Sequence, residues 1–179
     1  AAAEAKWSAM LKEYSSQYPE LGAELKRRIA GELPADLESI LPTFTAADKA
    51  VATRKLSEGV ISKLYDAVPE LIGGSADLTG SNLTRAPDAV DFQPPSTGLG
   101  DYSGRYIRFG VREHGMAAIC NGISAYGANF ISFGATFMNF VSYAVGAVSL
   151  SALSGHHVLY VATHDSIGLG EDGPTHQPI

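Results

Sequence analysis

Apolar positions recur with a helical period over the first third of the chain. Trp7, Met10, Leu11 and Tyr14 fall at i, i+3, i+4 and i+7, and Leu21, Leu25 and Ile29 repeat the spacing after Pro19, which predicts two amphipathic connecting helices. Pro34 and Pro42 bracket an irregular piece. Thr45 with Asp48 three residues on predicts the next helix start, Leu56, Val60, Ile61 and Leu64 its buried stripe, and Pro69 its end. The period then changes. ELIGGSADL (70–78) is a short apolar run into paired glycines, the pattern of a buried strand emptying into a loop. Pro87, Pro94, Pro95 and scattered Gly and Ser then predict a long loop over 79–104. RYIRFGV (105–111) reads as a second strand, 112–126 as a small-residue helix, NFISF (129–133) as a third strand, 135–153 as a second buried helix and HHVLYVAT (156–163) as a fourth strand. Strands alternating with helices predict an α/β fold, a parallel sheet covered by helices on both faces and preceded by a helical linker. Ligands on such sheets bind beyond the carboxyl ends of the strands, so the loops at 74–82, 111–114 and 163–176 should share one rim.

Charge alters this picture in one region. The 179 residues carry 13 Lys and Arg against 19 Asp and Glu, a formal charge of −6, which argues against a nucleic-acid partner. Yet from His114 to His164 there is no Asp, Glu, Lys or Arg at all. A membrane span fits poorly, because Asn121, Asn129, Asn139 and several Ser and Gly interrupt the stretch. Burial in a core or under a large subunit interface fits better. Cys120 is the single cysteine and has neither a disulfide partner nor a metal-type spacing. The first residues carry charges at Glu4, Lys6, Lys12 and Glu13 with no signal-type apolar core, so the expected address is cytoplasmic.

Several residues have chemistry to offer on the predicted rim. Glu113 lies where the second strand turns into a helix, between Arg112 and His114. It is either a helix-start carboxylate favoured by the macrodipole or a carboxyl carried into apolar surroundings and able to share a proton. Phe137, Phe140 and Tyr143, spaced i, i+3, i+6, are either core or a slot for a flat heteroaromatic ring. THDSIGLGEDGPTHQP (163–178) follows a strand and is shaped by Gly168, Gly170, Gly173, Pro174 and Pro178. Its His164, Asp172 and His176 are candidate proton-handling or hydroxyl-binding groups. The two histidines lack a zinc-type spacing, and no metal ligand is assigned. GGSADLTGSN (73–82) lacks the GK[ST] ending of a P-loop, though Asp77 and Ser81 could anchor polar groups. Taken alone, Arg54 reads as a surface residue.

GGSADLTGSN, GRYIRFGVREHGMAAICNGISAYG, TFMNFVSYAVGA and ATHDSIGLGEDGPTHQP together resemble transketolase, most of all its fungal, cytosolic forms, over essentially the whole chain. The resemblance implies linker helices at 1–45 and a pyrimidine-binding domain at 46–179 that stops short of a full sheet. It implies a thiamine-diphosphate enzyme of the pentose phosphate pathway, moving a two-carbon ketol unit from a ketose phosphate to an aldose phosphate. Glu113 would hydrogen-bond N1′ of the aminopyrimidine and drive its tautomerism. Phe137, Phe140 and Tyr143 would hold that ring, with Asp77 and Leu78 supporting the cofactor. Arg54, Ser81 and His164 would meet the substrate phosphate and Asp172 a sugar hydroxyl, while His176 would orient the donor and move a proton. The diphosphate and its Mg²⁺ (or Ca²⁺) belong to a domain that these residues do not resemble, so the chain alone is expected to be inactive. A homodimer partner would cover residues 114–153. The alternatives are a dihydroxyacetone synthase or phosphoketolase-like relative, or an inactive remnant that pairs through the uncharged surface.

Overall fold

The computed structural model describes residues 1–165 and 172–178, and the chain divides into two compact units, Ala1–Ala35 and Asp36 onward. The first unit is a helical hairpin of α1 (Ala2–Gln17) and α2 (Pro19–Ala30). Pro19 occupies the first turn of α2, where its missing N–H costs nothing. The helices meet at Gly22, where an added Cβ would lie 2.7 Å from Ser15 Cα. The predicted stripe is present, but Trp7, Met10, Leu21 and Ile29 are all exposed in this chain.

The second unit opens with α3 (Leu37–Ile40) and α4 (Thr53–Ala67). Thr45 does not start a helix. The carboxylate of Asp48 instead accepts from both the N–H and the hydroxyl of Thr45 (2.6 and 2.9 Å). This closes a local turn that competes with helix, and α4 begins only where its apolar period does.

Six parallel strands follow among the described residues: β1 (Leu71–Ser75), β2 (Asp91–Phe92), β3 (Gly100–Asp101), β4 (Tyr106–Arg108), β5 (Ile131–Phe137) and β6 (Val158–Thr163), in the order β3-β2-β4-β1-β5-β6. Two more strands are present than the four predicted, because the expected loop at 79–104 holds the one-turn α5 (Thr79–Asn82) and both two-residue strands. Buried Asp91 anchors this segment, bonded at one oxygen by Arg85 (2.9 Å) and at the other by Arg108. Burial alone would raise its carboxyl, yet the hydrogen bonds and charges of Arg108 and Arg85 outweigh that and hold it below the usual carboxylate range.

Helices cover both faces of the sheet, as expected. On one face Tyr65 and Val68 from α4 and its end pack with Leu71, Tyr106, Ile131 and Phe133. Arg105 ties the end of α4 to the sheet, donating to the carbonyls of Tyr65 (2.7 Å), Val68 and Leu71 while its guanidinium lies over the Tyr65 ring. On the other face α6 (Glu113–Tyr126) and α7 (Val145–Ser154) press Met116, Ala117, Cys120 and Ala147 onto Ile107, Val158 and Tyr160. The approach is close enough that a Cβ at Gly134 would sit 3.0 Å from Met116 Cγ. Burial pushes the Cys120 thiol up to about 12.

The predicted helix at 135–153 is split. Residues 135–137 extend β5, Met138–Ala144 form a 3₁₀ helix, and only α7 is α-helical. β5 pairs with β6 all the way to Phe137↔Thr163, and that ladder outweighs the helical pattern of the sequence.

The uncharged stretch is half core and half surface. Of its inner polar groups, Asn121 donates to the Ala147 carbonyl (2.9 Å) and Ser132 to that of Cys120 (2.9 Å), while the buried Thr136 hydroxyl has no hydrogen-bond partner among the described residues. Its outer side leaves Ile119, Tyr126, Val145, Leu150 and Leu153 at least half exposed. No helix among the described residues is long and apolar enough to cross a membrane.

Candidate active site

Parallel pairing puts the ends of β1, β4, β5 and β6 on one rim, and the singled-out residues leave the sheet there. Asp77 and Leu78 follow β1, Glu113 follows β4, Phe137 ends β5 and His164 follows β6. Among the described residues, three on the rim other than glycine adopt left-handed backbone: Asp77 (φ 61°), Leu83 (φ 57°) and His164 (φ 58°). Each such residue costs on the order of 1 kcal/mol, and the surrounding contacts must hold it.

His164 is the centre of these contacts. Its ring stacks on Phe137 with centroids 3.8 Å apart, its Nδ1 meets Thr163 Oγ1 at 2.8 Å, and its Nε2 lies 2.8 Å from Arg54 Nη1. Arg54 reaches over from α4 and donates to the Ser81 carbonyl as well (3.2 Å). It is therefore half-buried and engaged, not the surface residue it resembled in isolation. Asp172 approaches His164 Nε2 at 3.9 Å. Burial lowers the proton affinity of His164, and Arg54 lowers it further. Asp172 and Asp165 pull the other way, and His176 adds a smaller downward push.

An aromatic row continues from this point. Phe137 and Phe140 are nearly parallel at 5.6 Å, Tyr143 follows at 6.1 Å, and His176 sets its edge against Phe140 at 5.2 Å. A 3₁₀ helix has three residues per turn, so positions 140 and 143 eclipse on one face. A spacing of three thus suits this helix better than the α-helix expected from sequence. Phe137 is buried, Phe140 half-buried and Tyr143 66% exposed, which leaves an open aromatic face at the rim. Asn139 secures the 172–178 segment by donating to the Thr175 carbonyl (2.8 Å), and Thr175 Oγ1 meets His176 Nδ1 at 2.7 Å. Gly168 and Gly170 lie outside the described residues.

Glu113 opens α6 and is 8% exposed as a residue, and its carboxylate oxygens, without a hydrogen-bond partner among the described residues, are not fully buried. An accessible, unpaired carboxyl at a helix start is free to meet a ligand. Asp77 is exposed, and Leu78 is half-buried with its N–H held by Ser75 Oγ (3.1 Å). A flat ring bearing nitrogen donors fits this combination of open aromatic face and unpaired carboxylate. No group of three His, Cys, Asp or Glu among the described residues is placed to hold a metal ion.

Sequence reasoning missed the support beneath His164. Ser75, Asn82 and Thr163 are all buried and form a chain: Ser75 Oγ donates to Asn82 Oδ1 (2.7 Å), and Asn82 Nδ2 donates to Thr163 Oγ1 (2.7 Å). Their only signal was position, small polar residues at the ends of β1 and β6 and in the loop between them.

The family model described as transketolase, pyrimidine binding domain, matches residues 49–179. The chain belongs to the transketolase pyrimidine-binding domain family. A transketolase of Kluyveromyces lactis is 72% identical over 97% of this chain, and transketolase 1 of Saccharomyces cerevisiae is 70% identical over 97%. The chain spans 26% of the length of each. Among solved structures, a Pichia stipitis transketolase in complex with sedoheptulose 7-phosphate superposes with a TM-score of 0.94 at 65% identity, covering 99% of this chain and 26% of that one. The fold and the transketolase relatives agree on one architecture, and every rim residue described above falls inside the region that the family model matches.

Proposed function

We propose that this chain is the pyrimidine-binding part of a transketolase, with residues 1–45 as linker helices and 46–179 as the domain. The whole enzyme would transfer a two-carbon ketol unit from a ketose phosphate to an aldose phosphate. The observation that carries the reading is the meeting, on one rim, of an anion-binding guanidinium held by a histidine (Arg54 on His164), a second histidine (His176) and an open aromatic row. Sugar phosphates bound to the Pichia stipitis relative support the substrate class.

Thiamine diphosphate, when bound, supplies the carbanion chemistry of the two-carbon transfer. The chain's own residues orient and protonate. Tyr143 and Phe140, backed by Phe137, would offer faces to the aminopyrimidine, and the Glu113 carboxyl would hydrogen-bond its ring nitrogen by sharing one proton with it. Asp77 and Leu78 flank the same cofactor. Arg54, beside Ser81, takes the substrate phosphate, with His164 next to it. Asp172 receives a sugar hydroxyl, and His176, on its Thr175 support, moves a proton at the donor hydroxyl. The diphosphate and its Mg²⁺ are assigned to another part of the polypeptide, and a cytoplasmic address belongs to the same reading. A second copy of the chain would cover the exposed apolar side of α6 and α7, since a contiguous apolar surface marks an interface.

Glu113→Ala in the complete enzyme tests the reading. Turnover of a ketose phosphate with an aldose phosphate should fall by roughly 10²-fold or more. Near-normal turnover at ordinary cofactor concentration would remove Glu113 from the mechanism. A clear preference for formaldehyde or inorganic phosphate as acceptor would move the chain to a dihydroxyacetone synthase or phosphoketolase-like relative.

A further inference from the structure

We propose that Thr163 is a positioning residue that fixes the tautomer of His164 and thereby presets Arg54 for a substrate phosphate. This rests on the reading of Arg54 as the phosphate ligand. A guanidinium has donors only, so its approach to His164 Nε2 at 2.8 Å requires a lone pair on that nitrogen. The imidazole is then neutral and carries its proton on Nδ1, which donates to Thr163 Oγ1 at 2.8 Å. Thr163 Oγ1 also takes the amide N–H of Asn82 at 2.7 Å, and Asn82 is held in turn by Ser75 at 2.7 Å. Ser75 receives the Leu78 N–H at 3.1 Å. The chain runs from the backbone of the β1 loop to the guanidinium, and three of its four interior members, Ser75, Asn82 and Thr163, are buried, so their pairings are enforced by the cost of leaving a polar group unmade.

Geometry around the ring supports the assignment. Phe137 stacks on one face at 3.8 Å and prevents the imidazole from turning over freely. The left-handed backbone of His164 directs the side chain back onto the hydroxyl of its own neighbour. With Nε2 accepting one N–H and the Ser81 carbonyl contacted by the same Nη1, one edge of the guanidinium is held by the protein. Its remaining donors stay available for a planar, bidentate contact with phosphate oxygens.

The test uses the complete enzyme with three proteins: unaltered, Thr163→Val, which keeps the shape and removes the acceptor, and Thr163→Ser, which keeps the acceptor. The first readout is the ¹⁵N shift pair of His164, assigned against His164→Gln. It should show Nδ1 protonated and Nε2 bare in the unaltered and Ser forms, and an averaged pair in Thr163→Val. The second is the ratio of kcat/KM for ribose 5-phosphate over ribose, which should fall roughly tenfold in Thr163→Val and recover in Thr163→Ser. A protonated Nε2 in the unaltered protein, an unchanged ratio in Thr163→Val, or an equal loss in Thr163→Ser would overturn the proposal. Failure of the unaltered enzyme to use any sugar phosphate would overturn the proposed function itself, while the nitrogen shifts would still establish the tautomer.

Discussion

Replacing Phe137 with leucine probes the rim where its geometry is tightest. The ring is 4% exposed, stacks on His164 at 3.8 Å, lies parallel to Phe140 at 5.6 Å and meets the edge of His176 at 6.0 Å. Leucine restores most of the apolar burial, leaving a transfer and cavity loss of about 1 kcal/mol. The three ring contacts are worth about 0.5 kcal/mol or more each beyond burial, so the total is about 2–3 kcal/mol. Phe137 ends β5 opposite Thr163 at the end of β6, and the loss should concentrate there. Hydrogen exchange read by mass spectrometry should show protection of the β5 and β6 amides falling roughly 30- to 160-fold, with the α4 amides little changed. Protection altered by less than threefold would refute the idea that the aromatic row holds this end of the sheet. An equal loss in α4 would mean that the substitution acts globally.

Arg108→Ala leaves buried Asp91 with Arg85 alone. It should cost about 1 kcal/mol after allowing for the exposure of Arg108, read as a lower denaturant midpoint; Asp91→Asn combined with it should recover part of the loss. His164 binds protons less readily in the folded than in the unfolded chain, so the unfolded state takes up more protons and stability should rise with pH up to about 6.5. His164→Gln should flatten that rise, and a slope of opposite sign would contradict the burial described. Cys120, buried with its thiol pushed up to about 12, should react with a thiol reagent only after unfolding, and fast labelling of the native protein would contradict its place in the core.

Much of the fold was legible because periodicity is local information. The helical hairpin, the alternation of strands and helices, and the rim at the strand ends all follow from spacings of two and three to four residues within short windows. The aromatic row and the loop that carries His164, Asp172 and His176 were legible for a similar reason, being clustered in sequence. Boundaries were less so. At Thr45 a side-chain hydrogen bond to Asp48 closed a turn where a helix start was expected, and at Ala135 the ladder to β6 claimed residues whose own pattern is helical.

What the sequence determined by itself was the kind and order of elements and the chemical types gathered at their ends. Only the tertiary structure decided the partners. Asn82 and Thr163 stand 81 positions apart and Arg54 and His164 110, and neither pairing has a local signature. They arise because parallel pairing aligns the carboxyl ends of β1, β5 and β6, so residues distant along the chain leave the sheet side by side. The exposure of Arg54, the tautomer of His164 and the charge state of Asp91 depend on those neighbours and on burial, both of which exist only once the sheet has formed.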